Sequence, residues 1–123
     1  MQLLVIDDSA VDRQYISSML QDMGHHVESY STGEGVVEKL STGKYSCLFL
    51  DIVMPEQDGY KLLREIRSNK ATADQKVVFY SNKNTPVEVK YGLRRANAND
   101  YIIKPVSRER LSEVLKSLQC SPC

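Results

Sequence analysis

Residues 46–51 read SCLFLD, a short apolar run that stops on an aspartate. Residues 76–81, KVVFYS, repeat this pattern and stop on a serine. Strands whose successive side chains are nearly all apolar are buried on both faces, which is typical of the central strands of a parallel sheet. One further apolar run precedes these segments and one follows them, and residues 26–30 are an additional strand candidate. We therefore predict five strands, at residues 2–6, 26–30, 46–50, 76–81 and 99–103.

The segments between the strands have the apolar period of amphipathic helices. In the first of them, Ser9 lies at an N-cap position and Asp12, three residues later, completes a box-like start. The apolar stripe of this helix is Ile16, Met19, Leu20 and Met23, and further helices are predicted at about 33–41, 59–68, 86–96 and 107–118. This alternation predicts a single α/β domain, residues 1–123. Its fold would be a doubly wound five-stranded parallel sheet of order 2-1-3-4-5, the flavodoxin-like (βα)5 arrangement.

The charge and hydropathy of the chain exclude several classes of partner. The 123 residues include 16 Lys+Arg and 16 Asp+Glu, so the formal net charge is zero. A balanced charge does not favour direct binding to nucleic acid or to an anionic membrane. No apolar stretch approaches the roughly 18 residues of a membrane span, and no secretory signal is apparent. We therefore expect a cytoplasmic protein with no membrane partner, and a buried, reduced thiol at Cys47.

Polar groups stand at the ends of four of the predicted strands. Asp7 and Asp8 follow the first strand, Asp51 follows the third, Ser81 ends the fourth and Lys104 follows the fifth. In open α/β folds ligands bind at the carboxyl ends of the strands, and the first and third strands are neighbours in this order. Three carboxylates so close together repel one another, and Mg²⁺ is a cation that oxygen ligands of this kind bind. With a lysine and a hydroxyl beside them, the sequence predicts a site for Mg²⁺ and a phosphoryl group.

Five motifs, in order along the chain, resemble those of the receiver domain of two-component response regulators, the CheY-like family. They are Val5-Ile6-Asp7-Asp8-Ser9, Leu50-Asp51-Ile52-Val53-Met54-Pro55, Asp58-Gly59, Ser81 and Tyr101-Ile102-Ile103-Lys104-Pro105. The resemblance extends from the first predicted strand to the last predicted helix. Within the family, residues 81–83 and 91–95 look closest to single-domain regulators of the twitching-motility and phototaxis-linked type.

The resemblance implies a phosphoacceptor in a His-Asp phosphorelay and not an enzyme. Asp51 would take a phosphoryl group from a sensor histidine kinase or a phosphotransfer protein, and Lys104 would neutralise a phosphoryl oxygen. Ser81 would be the switch hydroxyl that moves toward that group, and Tyr101 the aromatic side chain that swings inward behind it. The Mg²⁺ ligands would be Asp7, Asp8, Asp51 and the backbone carbonyl of Val53.

A basic and aromatic surface is predicted beside this site. It comprises Lys90, Tyr91, Arg94 and Arg95 on the predicted fourth helix, with Tyr101 nearby. Arginine and tyrosine are enriched at interface hot spots, which favours a phosphorylation-sensitive surface for a downstream protein target. The same fourth helix, fifth strand and fifth helix could form a weak dimer. The alternative is an ordinary solvated helix face on a monomer.

Other functions fit the sequence less well. A small phosphohydrolase that uses an aspartyl phosphate would need a second acid, as general acid, two residues after Asp51, where this chain has Val53. A receiver-like module that never takes phosphate would usually lack one of the acids, the lysine or the hydroxyl, and all of them are present. A receiver that belongs to a larger DNA-binding regulator remains open.

Overall fold

The computed structural model of the chain describes residues 1–52, 54, 58–81 and 98–119. Five strands form one sheet in which every neighbouring pair is parallel. They are β1 (Gln2–Ile6), β2 (His26–Tyr30), β3 (Cys47–Leu50), β4 (Val77–Ser81) and β5 (Asp100–Ile103). Their spatial order is β2-β1-β3-β4-β5, which confirms the predicted topology. Because β1 and β3 are neighbours, the residues that follow them meet at one edge of the sheet.

Helices connect these strands where the apolar period predicts them. They are α1 (Ala10–Asp22), α2 (Val36–Leu40), α3 (Gly59–Ser68) and a C-terminal helix (Arg108–Gln119). The helix α2 begins three residues later than predicted, because Gly35 has a left-handed φ of +73° and cannot be part of the helix. The predicted fourth helix, 86–96, lies outside the described residues. Within the described ranges, no helix is long and apolar enough to cross a membrane.

The helices cover both faces of the sheet, as the continuous apolar runs require. Successive residues of the central strands alternate between the two faces, so that Leu48 and Leu50 lie on one side and Phe49 on the other. The first side packs against Val36 and Leu40 of α2 and Leu62, Leu63 and Ile66 of α3. The second packs against Ile16 and Leu20 of α1 and Leu111, Val114 and Leu115 of the C-terminal helix. Cys47 is fully buried and free, as expected.

Candidate functional site

Two buried aspartates lie side by side at the carboxyl edge of the sheet. Asp7 follows β1 and Asp51 follows β3, and the N–H of Asp51 donates to the carbonyl of Ile6 over 2.9 Å. Both side chains are buried, whereas Asp8 is exposed. One carboxylate oxygen from each of the three acids lies within 4.8 Å of the other two. The fold therefore brings together the three predicted acidic ligands. The fourth predicted ligand, Val53, lies outside the described residues.

The chemistry of these donors fits a divalent cation. All three are carboxylate oxygens, which are the hard ligands that Mg²⁺ binds, and the exposed Asp8 leaves one side accessible to water. Burial raises the pKa of the Asp51 carboxyl to about 7. The Lys104 ammonium offsets only part of this increase, and the neighbouring Asp7 carboxylate adds to it. The protein's own cation thus compensates the acids incompletely, and a bound Mg²⁺ would supply the missing positive charge.

Hydrogen bonds fix the orientation of the Asp7 carboxylate. Its Oδ1 accepts from the N–H of Ser9 over 2.9 Å, and its Oδ2 lies 3.0 Å from Lys104 Nζ. The backbone carbonyl of Asp7 also accepts from the guanidinium of Arg13 over 2.7 Å. A carboxylate held in this way loses little conformational freedom when it binds a cation, so the site is preorganised.

The Lys104 ammonium lies among three carboxylates. Its Nζ is 2.9 Å from Asp12, 3.0 Å from Asp7 and 3.7 Å from Asp51, and its side chain is only 11% exposed. Burial alone would lower the pKa of the ammonium, but the carboxylates of Asp12, Asp7 and Asp51 outweigh it and raise the pKa. Lys104 is therefore a permanent positive charge beside Asp51. The Lys104–Pro105 peptide bond is cis, a geometry that a lysine-proline sequence permits.

The predicted switch residues are both buried. Ser81 is the last residue of β4, and its backbone carbonyl accepts from the N–H of Lys104 over 2.9 Å. This bond ties the serine to the same edge of the sheet as the lysine. Tyr101, on β5, is 4% exposed and lies with its ring edge to Phe79 at a centroid distance of 6.1 Å. The Tyr101 ring is therefore part of the protein interior in this structure, and its movement on phosphorylation stays a prediction.

Gly59 lies against the backbone of Asp51. A Cβ atom at this position would lie 2.5 Å from the carbonyl oxygen of Asp51 and 2.6 Å from the Cα of Ile52. The N–H of Gly59 also donates to the carbonyl of Ile52 over 2.8 Å. From the sequence, Gly59 is expected to allow the loop 52–59 a backbone conformation that residues with a Cβ atom cannot adopt. The structure gives a different reason for a glycine here, which is the close contact between the start of α3 and the backbone that follows β3.

Asp12 is the member of this site that the sequence patterns do not reveal. The N–H of Asp12 donates to Ser9 Oγ over 3.3 Å, so half of the predicted capping box is present. The Asp12 carboxylate, however, pairs with Lys104, and the N–H of Ser9 donates to Asp7. The predicted surface residues Lys90, Tyr91, Arg94 and Arg95 lie outside the described residues.

Several known proteins are similar to this chain. The family model for the response regulator receiver domain matches residues 3–116. Two-component response regulator ORR3 of Oryza sativa subsp. japonica is 31% identical over 113 residues, which cover 91% of this chain and 86% of that protein.

Other relatives are much longer proteins. The hybrid signal transduction histidine kinase L of Dictyostelium discoideum is 32% identical over 94% of this chain, which spans 7% of the length of that kinase. The gliding motility regulatory protein of Myxococcus xanthus is 31% identical over 85% of this chain, which spans 13% of that protein. This sequence therefore corresponds to one part of these relatives.

A solved structure resembles the present one closely. The receiver domain of a sensor histidine kinase from Pseudomonas aeruginosa PAO1 superposes with a TM-score of 0.84 at 26% identity, and the match covers 95% of each chain. That structure has a magnesium ion coordinated in its active site cleft.

Proposed function

Because the chain belongs to the response regulator receiver domain family, we propose that it is the phosphoacceptor of a His-Asp phosphorelay and that Asp51 takes the phosphoryl group. One comparison carries the assignment: Asp51 is buried within 4.8 Å of Asp7 and Asp8 and lies 3.7 Å from Lys104, whereas both carboxylate oxygens of Asp7, in the same surroundings, already have close partners, Oδ1 the N–H of Ser9 and Oδ2 the Lys104 ammonium at 3.0 Å. A nucleophile between a cation site and an ammonium has the surroundings that phosphoryl transfer requires.

The transfer step follows from these positions. A carboxylate oxygen of Asp51 attacks the phosphorus of a phosphohistidine on a sensor kinase or phosphotransfer protein. The nitrogen–phosphorus bond breaks, its electron pair stays on the imidazole, and an acyl phosphate forms on Asp51. Mg²⁺, when bound by Asp7, Asp8 and Asp51, supplies charge neutralisation for the phosphoryl oxygens. The Lys104 ammonium neutralises a further oxygen, because it already lies within ion-pair distance of Asp51.

The output is a change of conformation and not turnover of a substrate. A phosphoryl group adds negative charge and strong acceptors, and Ser81 stands at the same sheet edge with a hydroxyl that can donate to it. Such bonds exist only in the phosphorylated state and would bias Ser81 and Tyr101 between two positions. Tyr101 itself is buried, so its sequence-based assignment to the partner surface is wrong for this structure, and it would act from inside the protein. A cytoplasmic partner protein would read the difference at the surface predicted around Lys90, Tyr91, Arg94 and Arg95, and the same surface could form a weak dimer.

Removal of the metal tests this proposal. We expect wild-type protein with acetyl phosphate and Mg²⁺ to take up one phosphoryl group, and the same mixture with excess EDTA to take up none. Without the cation, the repulsion between the incoming phosphate and the three acids is not offset. Intact mass spectrometry measures the uptake, and an acyl phosphate is released by hydroxylamine. Equal uptake with and without EDTA would contradict the Mg²⁺ dependence, and a hydroxylamine-stable adduct would contradict the aspartyl phosphate.

A further inference from the structure

Lys104 is closer to two other carboxylates than it is to the proposed phosphoacceptor. The Nζ–oxygen distances are 2.9 Å to Asp12 and 3.0 Å to Asp7, against 3.7 Å to Asp51. Tyr80 lies under the same ammonium, with its ring centroid 4.9 Å from Nζ. The lysine is therefore held at the α1 side of the pocket by a carboxylate and an aromatic ring that belong to neither the nucleophile nor the predicted metal ligands.

Among the contacts of the described residues, the Asp12 carboxylate makes no hydrogen bond to the start of its own helix. It occupies the third position of α1, where an acid usually bonds back to the N-cap backbone. Here that N–H, on Ser9, donates to Asp7 instead. The Asp12 carboxylate is 41% exposed and reaches across to Lys104, a residue 92 positions away in the sequence. The interaction thus connects the start of α1 with the loop after β5.

Asp12 and the phosphoryl group must compete for the same ammonium. Once Mg²⁺ is bound, the charge of the Asp7 carboxylate is largely neutralised by the metal. Asp12 is then the main carboxylate that competes with the phosphoryl oxygens for the Lys104 ammonium. Before phosphorylation the effect is reversed, because Asp12 neutralises Lys104 and so reduces the repulsion between this ammonium and Mg²⁺. We infer that Asp12 is a positioning residue that favours metal binding and restrains phosphoryl binding through Lys104. This inference rests on the proposed function.

Calorimetric titration of Asp12→Asn tests the inference, and it suits a chain that has no tryptophan to report binding. The probes are MgCl₂ alone, and then beryllofluoride, a phosphoryl analogue, at saturating Mg²⁺. We expect Mg²⁺ binding to weaken about threefold and beryllofluoride binding to strengthen about threefold to tenfold, the range for an ion pair with one partly exposed partner. Loss of a purely structural contact would not shift the two affinities in opposite directions.

Two variants serve as controls. Asp22→Asn removes the same charge from the same helix, about 15 Å farther along it, where the carboxylate faces Arg108 at 3.5 Å. We expect this variant to bind both probes as wild type does. Asp12→Glu keeps the charge and should restore much of the wild-type pattern. If Asp12→Asn weakens both affinities or changes neither while wild type binds both probes, the inference is wrong. If wild type binds neither probe, the proposed function itself fails, and the inference with it.

Discussion

Asp51→Asn is expected to take up no phosphoryl group from acetyl phosphate and Mg²⁺, under conditions in which wild type is labelled. Asparagine has almost the same shape as aspartate, but its amide lacks the negative charge and the nucleophilic oxygen that the acyl phosphate requires. The neighbouring groups Asp7 and Lys104 keep their own contact at 3.0 Å, so the pocket should survive the change. Intact mass spectrometry compares the two proteins. A mass increase in both of them, or in neither, would contradict Asp51 as the phosphoacceptor.

The same variant should be more stable than wild type at pH 8 when Mg²⁺ is absent. Burial raises the pKa of Asp51 from an ordinary 3.8 to about 7 in the folded protein. Between these values the folded state binds more protons than the unfolded state, so the stability falls as the pH rises through this range. Above pH 7 the charged Asp51 destabilises the fold by about 2–4 kcal/mol, and asparagine removes that effect.

Urea denaturation at two pH values in EDTA measures this difference. The advantage of Asp51→Asn should be full at pH 8 and nearly absent near pH 4, because the wild-type carboxyl is then protonated in the folded state. Asp22→Asn, which changes an exposed acid with a side chain that is 69% exposed, should show no comparable dependence on pH. Wild type more stable than Asp51→Asn at pH 8 without Mg²⁺ would show that Lys104 compensates Asp51 fully.

The sequence predicts the fold well because strands that are buried on both faces appear in it as continuous apolar runs. Continuous apolar runs such as 47–50 and 77–80 are typical of central strands, and the alternation with helical segments then limits the topology. The predicted and observed strands differ by one residue at most. The start of α2 is less predictable, because it depends on the left-handed conformation of Gly35, which the apolar period does not encode.

The sequence predicts those site residues that directly follow or end a strand, and it misses the one that lies within a helix. Asp7, Asp51, Ser81 and Lys104 each stand at the end of a strand, and the sheet order alone brings them together. Asp12 stands inside a helix, where the local pattern assigns it to a capping box. Its pairing with Lys104 depends on how α1 packs beside the loop after β5, and that geometry has no local signature. The contact of Gly59 with Asp51 cannot be predicted from the sequence either, because it also depends on how two separate segments pack.

Gly59→Ala is expected to lower the free energy of unfolding by about 2–4 kcal/mol, at or above the usual range for overpacking at a buried contact. The new Cβ would lie 2.5 Å from the Asp51 carbonyl oxygen and 2.6 Å from the Cα of Ile52, and neither backbone atom can move aside as a flexible side chain would. The start of α3 or the segment after β3 must shift instead. Because that segment carries Asp51, phosphorylation by acetyl phosphate should slow as well.

Gly43→Ala provides a matched comparison within the same chain. Gly43 has a left-handed φ of +74°, and nothing lies within 4 Å of the place where its Cβ would stand. This variant measures backbone strain alone, which should lower the stability by about 1–2 kcal/mol and leave phosphorylation unchanged. Urea denaturation and the labelling rate are measured for both variants. If Gly59→Ala were no less stable than Gly43→Ala and were phosphorylated at the wild-type rate, α3 would not hold Asp51 in place. The expected result is that Gly59 is required because two backbone segments touch there, and this contact connects the stability of α3 to the reactivity of Asp51.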